Sequence, residues 1–174
     1  MNRDSFKFIR RGIILLLVQV LVLKRIGLSS HWLWQHGHIF LYPLVILLLP
    51  FRTTRHYVIL LGFAIGLTMD MFYDTVGVHA FALTGMAYGR GILLEWLEPR
   101  GGYQLSMTPT QYSMGLNWLI IYTAVSLFIF TLLYFIAEIF TFIYLGQILL
   151  KTLITFSLSI LVLMGYHMLF NPRK

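Results

Sequence analysis

Long apolar runs are the feature of this sequence that most limits its possible folds. GIILLLVQVLVL and LNWLIIYTAVSLFIFTLLYFIA are two of them, and 59% of the 174 residues are hydrophobic while only 11% are charged. A bilayer core about 30 Å thick is crossed by a helix of about 20 predominantly apolar residues. The mean hydropathy of +0.81 is therefore typical of an integral membrane protein and not of a soluble domain.

Six spans fit into the chain and leave no room for a separate soluble domain. The predicted spans cover approximately residues 11–30, 39–50, 57–73, 76–97, 116–137 and 145–170. The second span is short and carries Pro43 in its first turn, where a missing amide hydrogen costs little. The sequence thus predicts an all-α polytopic membrane protein with six transmembrane helices and with residues 1–174 in a single domain.

Positive charges predict the orientation of these spans. Ten of the 13 Lys and Arg residues lie before the first span, after the sixth, or in the two connections on that same side. Lys24, Arg25 and Lys151 lie on the opposite side. The positive-inside rule then predicts that both termini are cytoplasmic and that the third span ends on the outer side. The formal net charge of +7 fits this distribution and a membrane with anionic lipid, and it does not indicate nucleic acid.

Small residues recur at helical spacing in the third and fourth spans. Gly62, Gly66 and Asp70 lie four residues apart and share a helix face, and Gly85 and Gly89 form a matching pair. Small residues let helices approach closely in lipid, where apolar surface alone gives little driving force for association. The pattern predicts that the two spans pack tightly as an antiparallel hairpin that turns at DTVG.

Asp70 and Asp74 are the most unusual polar residues in this apolar region. Ionised carboxylates at this spacing repel, and each costs a few kcal/mol inside a bilayer, so we expect both to reach water or a partner group. Capping of the fourth span by Asp74 or Thr75 explains Asp74. Three roles stay open for Asp70: it anchors the turn, bonds to His79, or accepts a hydrogen bond from a partner protein.

Other ionisable residues near the span ends have structural interpretations. Glu138 ends the fifth span and Lys151 enters the sixth, so we expect an ion pair between them near the outer surface. The aromatic segment SSHWLWQHGHIF contains His31, His36 and His38 without an acidic neighbour, which favours anchoring at the membrane interface over a metal site.

Charged residues at the inner end of the fourth span resemble an ordinary solvated helix end: Arg90, Glu95, Glu98 and Arg100. No nucleophile, base and oxyanion donors combine into a catalytic group in the sequence, so we expect neither enzyme activity nor a cofactor.

The stretch GFAIGLTMDMFYDTVGVHAFALTGMAYGR resembles the rod-shape-determining MreD family of bacterial inner-membrane proteins. Its motif Gly-Leu-x-x-Asp, followed by a Gly-x-His-Ala start of the next span, corresponds here to Gly66, Leu67, Asp70, Gly77, His79 and Ala80. Further matches are Gln19, the PLVILLLP segment, Arg90, the residues from Glu98 to Arg100, and Glu138.

This resemblance implies a fold similar to the substrate-binding subunits of energy-coupling-factor vitamin transporters. It also implies a non-enzymatic scaffold of cell-shape determination and lateral peptidoglycan synthesis in the bacterial cytoplasmic membrane. The implied partners are the transmembrane helix of MreC, then RodA and a class B penicillin-binding protein, directly or through MreC, with MreB filaments inside the cell. A vitamin-binding transporter subunit is the alternative, and its cavity would use Asn117, Trp118, Tyr122 and Tyr134.

A glycine-lined groove beside the third and fourth spans is the expected docking site for a single-span partner helix. The partner-binding residues predicted on this basis are Gly62, Gly66, Asp70, Asp74, Gly77 and His79. In this hypothesis the aspartate pair marks either the docking site itself or its rigid supporting turn. Replacing Gly66 by leucine is then expected to abolish copurification with the partner without preventing membrane insertion.

Overall fold

The computed structural model describes residues 3–25, 37–103 and 108–170, which are mainly helical and contain no strand. The α-helices of these residues are α1 (Arg3–Val18), α2 (Leu44–Leu47), α3 (Arg55–Tyr73), α4 (Val78–Trp96), α5 (Gln111–Met114), α6 (Leu116–Ile139) and α7 (Leu145–Phe170). A π-helical turn, Gln19–Leu23, continues α1, and a 3-10 turn, Phe142–Tyr144, precedes α7. The predicted all-α class is therefore confirmed for the described residues.

Among the described residues, three helices are long and apolar enough to cross a membrane by length and composition: α3, α6 and, in α7, residues Leu145–His167. Large apolar side chains on them are exposed, such as Leu60 and Phe63 on α3 and Leu153 on α7. Such surfaces are unfavourable in water over a large area but are expected in lipid. These features fit the membrane protein that the composition predicts.

The long helices pack in chain order. Helix α3 packs against α4, α4 against α6, and α6 against α7, while α1 contacts α2 and α2 contacts α3. Contacts between α3 and α4 pair Gly62 with Ala87 and Gly66 with Ala80, so the chain direction reverses between the two helices. The antiparallel hairpin expected from the glycine spacing is thus present.

Residues 37–50, here called the central segment, differ from the predicted second spanning helix over 39–50. The chain lacks regular secondary structure before Pro43 and then forms only the single turn of α2. Side chains 40–49 are all buried, because helices surround the segment. The apolar run was a correct signal for burial, but its short length and Pro43 do not support a continuous helix.

The connection between α4 and α6 is anchored by aromatic side chains. The rings of Tyr103 and Phe51 stack with their centroids 4.4 Å apart, and the Tyr103 hydroxyl donates to the Leu94 carbonyl at 2.8 Å. Trp118 Nε1 donates to the Leu97 carbonyl at 2.9 Å. Burial raises the pKa of the Tyr103 phenol to about 12.

Candidate functional site: the α3–α4 hairpin and the central segment

Asp70 fixes the turn between α3 and α4. Its Oδ1 accepts hydrogen bonds from the Thr75 hydroxyl at 2.6 Å and from the His79 backbone N–H at 3.0 Å, and its Oδ2 accepts from the Ala80 N–H at 2.9 Å. The carboxylate therefore satisfies the first amide groups of α4, which have no partner within that helix and carry the positive end of its dipole. Of the three roles left open for Asp70, the structure shows two. Asp70 anchors the turn, and it bonds to His79 through the backbone N–H of that residue.

Asp74 does not cap α4, contrary to the expectation from the sequence. It ends α3 in the left-handed conformation, with φ at 56°, and its side chain is exposed. The N-cap position of α4 belongs to Gly77, which has φ at 81° and no side chain to donate or accept. Capping comes from Asp70 because packing of the two helices brings its carboxylate to the amino end of α4, a contact across the turn that local sequence rules do not include.

Gly62 and Gly66 both contact α4, and the approach is closer at Gly66. A Cβ built on Gly66 would lie 2.4 Å from the Cα and 2.8 Å from the backbone nitrogen of Ala80. At Gly62 a Cβ would lie 3.1 Å from the Cβ of Ala87. Helix α4 thus occupies the groove that the sequence hypothesis assigned to a partner helix, and both glycines are buried inside the hairpin.

Gly85 and Gly89 face a different neighbour from the one expected. A Cβ on Gly85 would lie 2.5 Å from Leu133 Cδ1, and one on Gly89 would lie 3.9 Å from Ile129 Cδ1, both on α6. The two glycine pairs therefore pack α4 against two helices, with Gly62 and Gly66 serving the α3 contact and Gly85 and Gly89 the α6 contact.

His79 joins the hairpin to the central segment. Its ring is fully buried, and its Nδ1 shares a hydrogen bond of 2.7 Å with the hydroxyl of Tyr42. The rings of Tyr73 and Tyr134 lie with their centroids 4.9 and 5.0 Å from that of His79. Because the His79 backbone is bonded to Asp70, the turn and the central segment are held in one network.

Side chains of the surrounding helices satisfy the irregular backbone before Pro43. Thr155 Oγ1 accepts from the His38 N–H at 3.0 Å, and Ser159 Oγ accepts from the Phe40 N–H at 2.9 Å. Gln19 accepts from the Leu41 N–H at 2.7 Å and donates to the Ile39 carbonyl at 2.9 Å. Irregular backbone survives at membrane depth only when the protein itself satisfies its polar groups, and these side chains do so.

Arg90 holds the other end of the central segment and is buried, whereas the sequence predicted a solvated helix end. Its Nη2 donates to the Leu49 carbonyl at 2.7 Å and its Nε to the Tyr122 hydroxyl at 2.9 Å. Tyr122 in turn donates to the Leu47 carbonyl at 3.1 Å. A buried charge requires such hydrogen bonds, and here they satisfy carbonyl groups at the end of α2.

The two lysines on the predicted outer side, Lys24 and Lys151, contact the ends of helices. The expected ion pair between Lys151 and Glu138 is present, with Nζ 3.7 Å from Oε2. Lys24 Nζ donates to the Phe72 carbonyl near the end of α3 and lies 5.3 Å from the centroid of the Tyr73 ring. Both contacts place a cation beside groups that attract it.

The histidine and cavity residues of the sequence hypotheses lie in different environments. His31 and His36 are outside the described residues, and His38 packs against the rings of Phe40, Tyr134 and Phe135. Of the residues proposed for a vitamin cavity, Asn117 is exposed and Trp118 bonds to Leu97. Tyr122 and Tyr134 contact the central segment, through Leu47 and Phe40 respectively.

Sequence reasoning missed the residues that support the central segment. Gln19 was noted only as a match to a family, and Thr155 and Ser159 were not identified. A usable signal existed: Thr155 and Ser159 are polar, lie four residues apart on an apolar helix, and so share one face. Their target could not be named, because no local rule pairs a helix face with an irregular segment more than 100 residues away.

Replacing Gln19 by leucine is expected to lower the free energy of unfolding by about 2 kcal/mol, because the Leu41 N–H and the Ile39 carbonyl lose their buried partner. Unfolding in mixed detergent micelles measures this loss. Gln147→Leu on the exposed surface of α7 is the matched control, with an expected change within about 0.5 kcal/mol. Equal effects of the two substitutions would contradict the role assigned to Gln19.

Comparison with protein-family models, curated proteins and solved structures gave no match to this chain. The class of the protein is defined by its own geometry: the part of the chain that the structure describes is helical, with three helices long and apolar enough to cross a membrane and an irregular segment buried among its helices.

Proposed function

We propose that this chain is a six-crossing membrane scaffold of the MreD family, with both termini in the cytoplasm and a fold similar to energy-coupling-factor substrate-binding subunits. In this proposal α1, α3, α4, α6 and α7 make five crossings and the central segment makes the sixth. Supporting this, Tyr42 contacts His79 and Leu49 contacts Arg90, eleven residues further along α4. That separation is about 16.5 Å at a rise of about 1.5 Å per residue, roughly half of a bilayer core.

The proposed activity is to present a rigid, lipid-embedded surface to the transmembrane helix of MreC, without making or breaking covalent bonds. Through MreC, or directly, the scaffold would regulate RodA and its class B penicillin-binding protein. One observation carries this proposal: Gly66 and Asp70, the residues of the family-like motif, both face inward and fix α3 against α4. A motif that makes the α3–α4 contact rigid suits a scaffold that binds a partner, because a preorganised surface loses little entropy on binding.

The outward face of the α3–α4 hairpin is the docking surface that we propose in place of the glycine groove. Helix α4 covers Gly62 and Gly66, so a partner helix would meet larger side chains beside them. The exposed ones are Leu60, Phe63 and Leu67 on α3 and Phe81 and Tyr88 on α4. In lipid, association with such a face depends on complementary van der Waals packing.

The alternative of a vitamin-binding subunit has less support from the same geometry. Such a protein needs room for a small molecule among its helices. Phe40 and Tyr42 of the central segment lie in that interior and are almost completely buried. Their rings pack against Phe130 with centroids 5.2 and 5.7 Å away, which favours a filled interior and a scaffold.

Crosslinking in native membranes tests this function. A photoreactive residue at Leu67, which is 42% exposed, is expected to capture MreC. The same residue at Leu153 on α7, 56% exposed, is the matched control and should capture lipid only. Equal capture of MreC from both positions, or capture of a small molecule in its place, would contradict the proposed docking surface.

A further inference from the structure

The side chain of Arg55 crosses from α3 onto the surface of α4. Its guanidinium carbon lies 4.1 Å from the centroid of the Tyr88 ring. Its Nε and Cδ lie 3.6 and 3.7 Å from the position that a Cβ would take on Gly91, which is ordinary van der Waals distance, so the side chain runs along the surface of α4 at Gly91. Arg55 begins α3, a helix able to span a membrane, and therefore lies at the membrane boundary.

Arg55 packs on the ring of Tyr88 but has no counterion among the described residues. The salt bridge within these residues joins Glu138 and Lys151, and the first turn of α3 contains no acidic residue. Arg52, three residues earlier, is also exposed. Contact with an aromatic ring holds a guanidinium by its face, which leaves the N–H groups at its edge able to bind an anion.

We propose that Arg55, positioned by the ring of Tyr88, binds the phosphate of an anionic membrane lipid in the leaflet at this end of α3. Arg52 supplies a second positive charge. The planar guanidinium matches the geometry of a phosphate group, to which it can donate two parallel hydrogen bonds. The exposed rings of Tyr57 and Tyr88 are of the type found at membrane interfaces and provide apolar surface for the rest of the lipid. Tyr88 also belongs to the proposed docking surface, but lipid binding does not rest on the docking of MreC, and its test uses this chain without MreC.

Native mass spectrometry of the full-length chain tests the site with phosphatidylglycerol and phosphatidylcholine as probes. The unmodified chain is expected to retain phosphatidylglycerol preferentially. Arg55→Ala should weaken this retention about fivefold, the effect of one basic residue near an anionic surface. Tyr88→Leu keeps the charge and should also weaken retention, because the guanidinium is no longer held. Arg100→Ala removes the same charge from an exposed position outside the site and is the matched control.

Three results would overturn the proposal. Equal losses from Arg55→Ala and Arg100→Ala would indicate general charge attraction without a defined site. Equal retention of phosphatidylcholine would show that the phosphate is bound without regard to lipid charge. Displacement of the lipid by millimolar inorganic phosphate would assign the site to a soluble anion. Thermal melting in detergent checks that each variant is folded, and Arg55→Gln takes the place of Arg55→Ala if the alanine variant is not.

Discussion

An alanine at Gly66 is expected to lower the free energy of unfolding by about 3 kcal/mol or more, since its Cβ would lie 2.4 Å from the Cα of Ala80. The contact is with backbone, so no side-chain rotation can relieve it and α3 must move away from α4. That movement would also separate Asp70 from the amide groups of His79 and Ala80. Reversible unfolding by SDS in mixed micelles measures the loss.

Gly165→Ala on α7 is the matched control for this prediction. A Cβ at Gly165 would have nothing within 4 Å, so the higher helix propensity of alanine should leave stability unchanged or raise it by up to about 1 kcal/mol. Similar losses at both glycines would show that the close approach of α3 and α4 is not what Gly66 provides.

The burial of Gly66 also changes how a loss of partner binding should be interpreted. The sequence hypothesis expected Gly66→Leu to block an open groove and leave the protein itself intact. Because Gly66 is buried against Ala80, we expect the substitution to disrupt the hairpin before any partner is involved. Copurification with the proposed partner, MreC, is therefore informative only when the stability of the variant is measured alongside it.

Asp70→Ala is expected to cost about 3 kcal/mol, because the Thr75 hydroxyl and the amide groups of His79 and Ala80 all lose a charged acceptor in a buried place. The Tyr42 hydroxyl bonds to the ring of His79, so disorder at this turn should reach the central segment. Hydrogen exchange at Phe40 and Leu41 is the measurement that detects it, together with the free energy of unfolding.

Asp74 provides the comparison for Asp70 on the same turn. Its side chain is exposed, so Asp74→Ala should change the free energy of unfolding by no more than about 0.5 kcal/mol. Asp74→Gly should stabilise the protein by about 1 kcal/mol, because glycine adopts a φ of 56° without the steric cost that a side chain brings. An Asp74→Ala variant as unstable as Asp70→Ala would contradict the division of roles described above.

Much of the helical architecture could be predicted from local patterns. The apolar runs located α3, α4, α6 and α7 to within a few residues, because a helix of about 20 apolar residues is what a bilayer requires. Glycine spacing predicted the hairpin of α3 and α4, and charge position predicted the ion pair of Glu138 with Lys151. These features depend on residues close in sequence or on neighbouring helices.

Contacts between distant parts of the chain decided the rest. Arg90 was expected in solvent because it lies near the end of its helix, yet it is buried against Leu49, 41 residues earlier. Asp70 caps a helix other than its own, and Gly85 faces α6 and not α3. Each of these outcomes depends on which helix packs beside which. The periodicity of apolar and small residues predicts that a helix face is buried, but it does not identify the neighbouring helix.

The sequence by itself determined that this chain is apolar and helical, because composition and 3.6-residue periodicity act locally along the chain. Only the tertiary structure decided that residues 37–50 form the single turn of α2 and not the continuous helix predicted over 39–50. The rest of their backbone can remain irregular because Gln19, Thr155, Ser159 and Arg90, which lie far apart in the chain, supply the hydrogen bonds that lipid cannot.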